Sequence, residues 1–199
     1  IMSQQTITAR TSAPRVVSAD EKKGGVLDVS ALVLIAILLA AGAVLKLTVG
    51  SLLASMGMKP NFIIAMYCLA IILVRPKVGQ AVIVGLLAGA LCQIPMLNAT
   101  PLLNILSELL GALACGLLIR VPMNIGGKLD LNPLVTTFVS TLISGGVFAA
   151  LSIYINVVST GGDIFVAFAA YAAIVLGTAT FNAVIVQVLV VPLRKVLKK

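Results

Sequence analysis

Phe62-Ile63-Ile64-Ala65-Met66-Tyr67-Cys68-Leu69-Ala70-Ile71-Ile72-Leu73-Val74 runs into Arg75-Pro76-Lys77, and Val78-Gly79-Gln80-Ala81-Val82-Ile83-Val84-Gly85 follows at once. No charge interrupts Phe62 to Val74, and polar residues do not recur there at helical spacing, so the segment has no face for water. A short, tightly apolar run of this kind is read as a membrane span. The Arg-Pro-Lys hinge carries the charge that the flanking runs lack, which marks a turn at a membrane surface. Two apolar helices joined by a short basic turn are the unit from which the rest of the chain is read.

The composition extends that reading. Of 199 residues, 60% are hydrophobic and 10% charged, against about a quarter charged in a soluble domain. At about 20 residues per span, the apolar runs are Val29–Leu53, Phe62–Val74, Val78–Ile94, Leu103–Ile119, Leu134–Val158 and Ile164–Leu193. The last is long enough to be tilted, broken near Gly177, or preceded by an interfacial stretch around Phe165 and Phe168. The expectation is an all-α, polytopic membrane protein of six transmembrane helices. Residues 1–25 are expected to form a disordered cytoplasmic tail, and residues 26–199 the transmembrane domain with a short basic end.

With both termini placed in the cytoplasm, 12 of the basic residues fall inside, leaving Lys46 and Lys59 outside. That bias predicts an N-in, C-in topology in a cell membrane. The net charge of +8 does not read as a nucleic-acid surface, because the basic residues border apolar runs and lack aromatic companions for base stacking. The chain has no His, and Cys68, Cys92 and Cys115 lie in apolar runs without metal-ligand spacing. No cofactor or metal is expected. A single acid within the spans, with no His beside it, lacks the usual pair for acid–base catalysis, so the chain is not expected to be an enzyme.

Small residues recur every fourth position at Ala36/Ala40, Gly85/Gly89, Ser107/Gly111/Cys115 and Ala169/Ala173/Gly177. Such spacing lets helix backbones approach in lipid. Packing within the bundle is the expected use, and Ala36/Ala40 is the pair expected also to face a partner protein. Charge inside a span marks function, since a lone ion in hydrocarbon costs several kcal/mol. Lys46 and Glu108 lie at similar depth with opposite sign. A structural ion pair, binding of a zwitterionic or charged solute, and a proton relay at Glu108 all remain open. Asn104 stands one helical turn before Glu108, and Gln93–Pro101 is an uncharged loop that reads either as the cover of a pocket or as a plain connector. Lys59 and Asn61 lie where the second run meets the outer surface, and Asn182 and Gln187 place amides at depth in the last run. Tyr67, Phe148, Tyr154, Tyr171 and Phe181 are aromatic groups available to a flat substrate or to helix packing.

Gly57-Met58-Lys59-Pro60-Asn61-Phe62-Ile63-Ile64-Ala65-Met66 resembles the Gly-Met-Lys-Pro-Asp segment and following helix of bacterial tryptophan transporters of the TrpP type. Val84-Gly85-Leu86-Leu87-Ala88-Gly89 is similar to that family's glycine-bearing third helix. Asn104-Ile105-Leu106 falls at its Pro-Asn-Ile-Ile-Asp-Lys stretch, with Leu103 in place of Pro and Ser107 and Glu108 in place of Asp and Lys. The resemblance implies a six-helix plan like the substrate-binding S-components of energy-coupling-factor (ECF) transporters. It implies that Ala36 and Ala40 contact a membrane coupling subunit, which works with cytoplasmic ATPases. It also implies a substrate near the outer surface, in the zone of Lys59, Asn61, Asn104 and Glu108.

The expected function is capture of a small organic solute for uptake, with tryptophan the first ligand and a vitamin or cobalamin-like cofactor the alternative. The chain has no Gly-Lys-Ser/Thr phosphate loop, so ATP chemistry would belong to a partner. A stand-alone proton-coupled carrier and an assembly subunit are the other readings. The expected substrate-binding residues are Lys46, Lys59, Asn61, Asn104, Glu108 and Asn182.

Overall fold

The computed structural model describes residues 27–55, 60–98, 100–125 and 129–197. The proposed N-terminal tail and Lys59 lie outside the described residues. Seven α-helices carry the described chain: α1 (Val29–Leu47), α2 (Val49–Ser55), α3 (Phe62–Val74), α4 (Val78–Leu91), α5 (Leu103–Leu118), α6 (Asn132–Ile153) and α7 (Ile164–Val196). A π-helical turn, Tyr154–Val158, extends α6, and a two-residue antiparallel pair joins Asn124–Ile125 to Leu129–Asp130 between α5 and α6.

The first apolar run is thus two helices meeting at Thr48, whose hydroxyl bonds back to the Val44 carbonyl. The last is one continuous helix of 33 residues, not broken at Gly177. Nothing within 4 Å would meet a side chain at Gly177, so that glycine serves neither a kink nor a close approach. Asp28 caps α1 through the Ser30 and Ala31 amides, and Asp163 caps α7 through Phe165 N and Val166 N at 2.8 and 3.1 Å. Arg75 ends α3 in the left-handed region, at φ 51°, with Pro76 preventing continuation.

Helix α3 is the axis of the bundle. Twelve of its thirteen residues are buried, and it packs against α1, α4, α5, α6 and α7. The absence of a polar face follows, since protein surrounds it instead of lipid. Three stretches, Val29–Leu53, Asn132–Val158 and Ile164–Val196, are long and apolar enough to cross a membrane. The helices α3, α4 and α5 have 13, 14 and 16 residues. At 1.5 Å per residue they reach about 20–24 Å, short of a hydrocarbon core of about 30 Å. An α3 enclosed by its neighbours has no lipid thickness to match.

The α4–α5 contact depends on missing side chains. A Cβ at Gly85 would meet the Ala112 Cβ at 2.6 Å and the Glu108 carbonyl oxygen at 2.7 Å, and one at Gly89 would meet the Ile105 Cα at 2.8 Å. The four-residue stripes on α4 and α5 are therefore packing surfaces within the chain. The Ala169/Ala173/Gly177 stripe is exposed along α7, contrary to the packing expected of it. Ala36 and Ala40 are exposed on α1 as well.

Candidate functional site

At the end of the bundle where α3 and α5 begin, a cavity of about 790 Å³ opens between α1, α3, α5, α6 and α7. Pro60 and Asn61 precede α3, and five residues of the loop before α5 (Pro95, Met96, Leu97, Asn98 and Thr100) form one wall. Phe148, Tyr171, Ile174 and Val175 from α6 and α7 make an apolar and aromatic wall. Lys46, Asn104, Glu108, Thr141 and Ser144 supply polar groups. The volume falls in the range of small-molecule sites, and the mix of an apolar wall with a few convergent polar groups is their usual chemistry.

Glu108 is fully buried, on the α5 face that turns toward α3 and α6. Its Oε1 accepts from Asn61 Nδ2 at 2.8 Å and its Oε2 from Ser144 Oγ at 3.1 Å. The Tyr67 ring lies behind it, also fully buried. Gly111 makes room for that ring: a Cβ there would run into the Tyr67 hydroxyl and meet the Ser144 Cβ at 2.8 Å. Lys46 faces the same cavity, but among the described residues no ion pair joins it to Glu108. The two opposite charges share a cavity without cancelling each other directly.

Asn104 is buried beside Glu108 as its spacing predicts, but its Nδ2 reaches back to the carbonyls of Thr100 and Pro101 at 3.2 and 3.3 Å. Gln93 Nε2 bonds to the same Pro101 carbonyl and to Gly89 O, both at 2.8 Å. These two amides brace the loop that walls the cavity. Asn182 is not on the cavity wall. It lies behind it, fully buried, donating to the Asn61 carbonyl at 3.2 Å and to Thr141 Oγ1 at 3.5 Å. Gln187 bridges Leu134 N and the Asp130 carbonyl, so it fastens α7 to the start of α6. Of the aromatic candidates, Phe148 and Tyr171 line the cavity, Phe181 makes an edge contact with Phe62 at 5.7 Å, and Tyr154 is exposed.

The sequence reading missed Thr141, Ser144 and Ser152, all on the cavity side of α6. They belong to a pattern that was available: Thr136, Ser140, Ser144 and, two turns on, Ser152 are buried hydroxyls on one face of α6, with Thr137 and Thr141 beside them.

The family comparison bears directly on this cavity. The model of the family described as tryptophan transporter TrpP matches residues 28–198, most of the chain. The chain belongs to the TrpP tryptophan transporter family. No curated protein and no solved structure matches it. Membership agrees with the long apolar helices, and it makes transport of a small solute across a bilayer the frame for the cavity. The match spans every helix that walls the site, from α1 to α7.

Proposed function

We propose that this protein captures tryptophan in the α1–α3–α5–α6–α7 cavity and delivers it inward across a bacterial cell membrane. The observation that carries the reading is a fully buried Glu108, held by Asn61 and Ser144, in one cavity with Lys46 and an aromatic wall. An amino acid carries one positive and one negative group, so a site with separated charges of both signs suits it. Glu108 takes the ammonium end, Lys46 the carboxylate, and Phe148 and Tyr171 the ring. Lys59 and Asn104 complete the proposal, Lys59 as a contact and Asn104 as the brace of the covering loop.

Six spans with the cavity facing outward are part of the same proposal. Arg75, Lys77, Arg120, Arg194 and Lys195 gather at the opposite end, where Arg120 Nη2 bonds to Pro76 O at 2.9 Å and Arg194 pairs with Asp130. The positive-inside rule puts that end in the cytoplasm.

For energisation, we propose the role of an ECF S-component, docking on a membrane coupling subunit through Ala36 and Ala40, which α1 leaves exposed. Replacing both by Leu abolishes co-purification with ATPase partners and leaves tryptophan binding unchanged. A stand-alone proton-coupled carrier is the second reading, favoured by the complete burial of Glu108. That reading expects uptake to survive ATP depletion and collapse with a protonophore.

The deciding experiment is direct binding of tryptophan to purified protein, with B vitamins as competitors. Saturable binding that Glu108→Gln weakens supports the site. A vitamin that binds while tryptophan does not replaces the substrate, and tryptophan binding indifferent to Glu108→Gln removes the site.

A further inference from the structure

Two side-chain amides beside Glu108 are oriented by their partners. Asn182 Nδ2 faces the main-chain oxygen of Asn61, which can only accept, so the nitrogen and not the oxygen must stand there. Asn61 Nδ2 faces a Glu108 carboxylate oxygen in the same way. The consequence is that both amide oxygens point elsewhere. Asn61 Oδ1 and Asn182 Oδ1 are buried and, among the described residues, have no hydrogen-bond partner. A buried acceptor left unpaired costs about 1–3 kcal/mol, and native structures seldom leave one so.

Asn61 is also the residue that precedes α3, where an Asn commonly caps its own helix. Here its side chain makes no capping bond and is turned to Glu108 instead. The structure therefore forgoes a local stabilisation to aim this amide across the bundle. Asn61 Nδ2 holds the Glu108 carboxylate and Asn182 Nδ2 reaches Thr141 Oγ1, so both amides stand beside oxygen atoms. The α3 N-terminus contributes a partial positive charge of about half a unit, smaller than the full charge on Glu108. Lys46 faces the same cavity without an ion pair to Glu108 among the described residues, so the unpaired oxygens beside that acid leave a place for a second positive group, not an anion.

We propose that Asn61, Asn182, Glu108 and Thr141 form an oxygen-lined site for one monovalent cation. Asn61, Glu108 and Thr141 line the cavity and Asn182 closes the site from behind, so the cation is either a free sodium ion or the ammonium group of an amino acid bound in the cavity, both compact positive charges suited to oxygen donors. The ammonium arm rests on the tryptophan reading above. The sodium arm does not, and it would tie ligand capture to the sodium gradient.

The test uses the full chain in detergent, in choline chloride, with thermal unfolding and tryptophan binding as separate readouts. If sodium is the occupant, NaCl raises the unfolding midpoint of the ligand-free protein, equimolar choline chloride does not, and Asn182→Leu abolishes the shift. If ammonium is the occupant, NaCl has no effect, and indole-3-propionate, which lacks the amine, binds about tenfold or more weaker than tryptophan. Asn182→Leu then brings the two affinities within about twofold. Should Asn182→Leu not fold, Glu108→Gln is read in the same two assays, because it keeps side-chain volume. No sodium shift, together with an unchanged preference for the amine in a folded variant, overturns the proposal and leaves the tryptophan reading standing. A sodium shift without tryptophan binding does the reverse.

Discussion

At the Asp130 end of the bundle the polar groups are matched to one another, whereas at the Glu108 end several are left open. Asp130 pairs with Arg194 at 2.8 Å and accepts from Asn132 N, while its carbonyl takes Gln187 Nε2. Asn132 Nδ2 ties the carbonyls of Leu118 and Val121 at 3.1 and 2.7 Å, and its Oδ1 accepts from Thr136. Around Glu108, by contrast, Asn61 Oδ1 and Asn182 Oδ1 are buried without hydrogen-bond partners among the described residues, as are the Thr137 and Ser140 hydroxyls in the body of α6. Both ends are rich in amides, yet one set is spent fastening α5, α6 and α7, and the other stands ready for something that arrives. Residue type alone does not separate a fastener from a binder; the partner count does.

The comparison breaks most sharply at Glu108. Truncating one member of a buried, hydrogen-bonded charge pair costs about 2–5 kcal/mol. Glu108→Gln is therefore expected to weaken tryptophan binding about thirtyfold or more, measured by isothermal titration in detergent. Asp130→Asn, at the other end, should leave that affinity within about twofold. Equal losses from both substitutions would dissolve the distinction between the two ends.

Gly111 gives the next effect. A side chain there collides with the Tyr67 hydroxyl and the Ser144 Cβ behind Glu108. Overpacking of this kind costs about 1–3 kcal/mol, so Gly111→Val should lower the thermal midpoint and weaken binding together. A variant with normal stability and normal affinity would mean that α5 and α6 do not approach as described.

Much of the fold was legible in the sequence because lipid demands long uncharged runs. The α3 run was read to the residue, since Arg75-Pro76-Lys77 ends it chemically as well as electrically. The Glu108–Asn104 face was legible too, through helical spacing. What was not legible is lateral adjacency. Ser144 meets Glu108 across 36 positions, and Asn182 meets Asn61 across 121, with no periodicity to announce either. Nor does four-residue spacing reveal which way a stripe faces. Gly85/Gly89 is pressed against α5, while Ala169/Ala173/Gly177 has the same spacing and lies exposed.

The fastening at the Asp130 end predicts a moderate, selective loss. Both partners of the Arg194–Asp130 bridge are about 30% exposed, at 28% and 32%. Solvent screens such a pair, and it is worth about 0–1 kcal/mol. Arg194→Gln should lower the unfolding midpoint slightly and increase hydrogen exchange at the ends of α6 and α7, with tryptophan affinity unchanged. A large loss of binding would show that the clasp and the cavity are coupled.

The smallest effect belongs to Gly177, and it sharpens the contrast between the two glycine stripes. Apart from its own turn of helix, no atom among the described residues lies within 4 Å of where its Cβ would be, and its backbone is ordinary α-helix within α7. Replacing it by Ala removes the conformational freedom a glycine carries in the unfolded chain, worth up to about 1 kcal/mol in a helix interior. Gly177→Ala should therefore be neutral or slightly stabilising in detergent, where Gly85→Ala, opposed by the Ala112 Cβ at 2.6 Å, is destabilising. If Gly177→Ala instead impairs uptake in cells while purified protein keeps its stability and affinity, the exposed α7 stripe is in use by a surface that only the membrane assembly supplies.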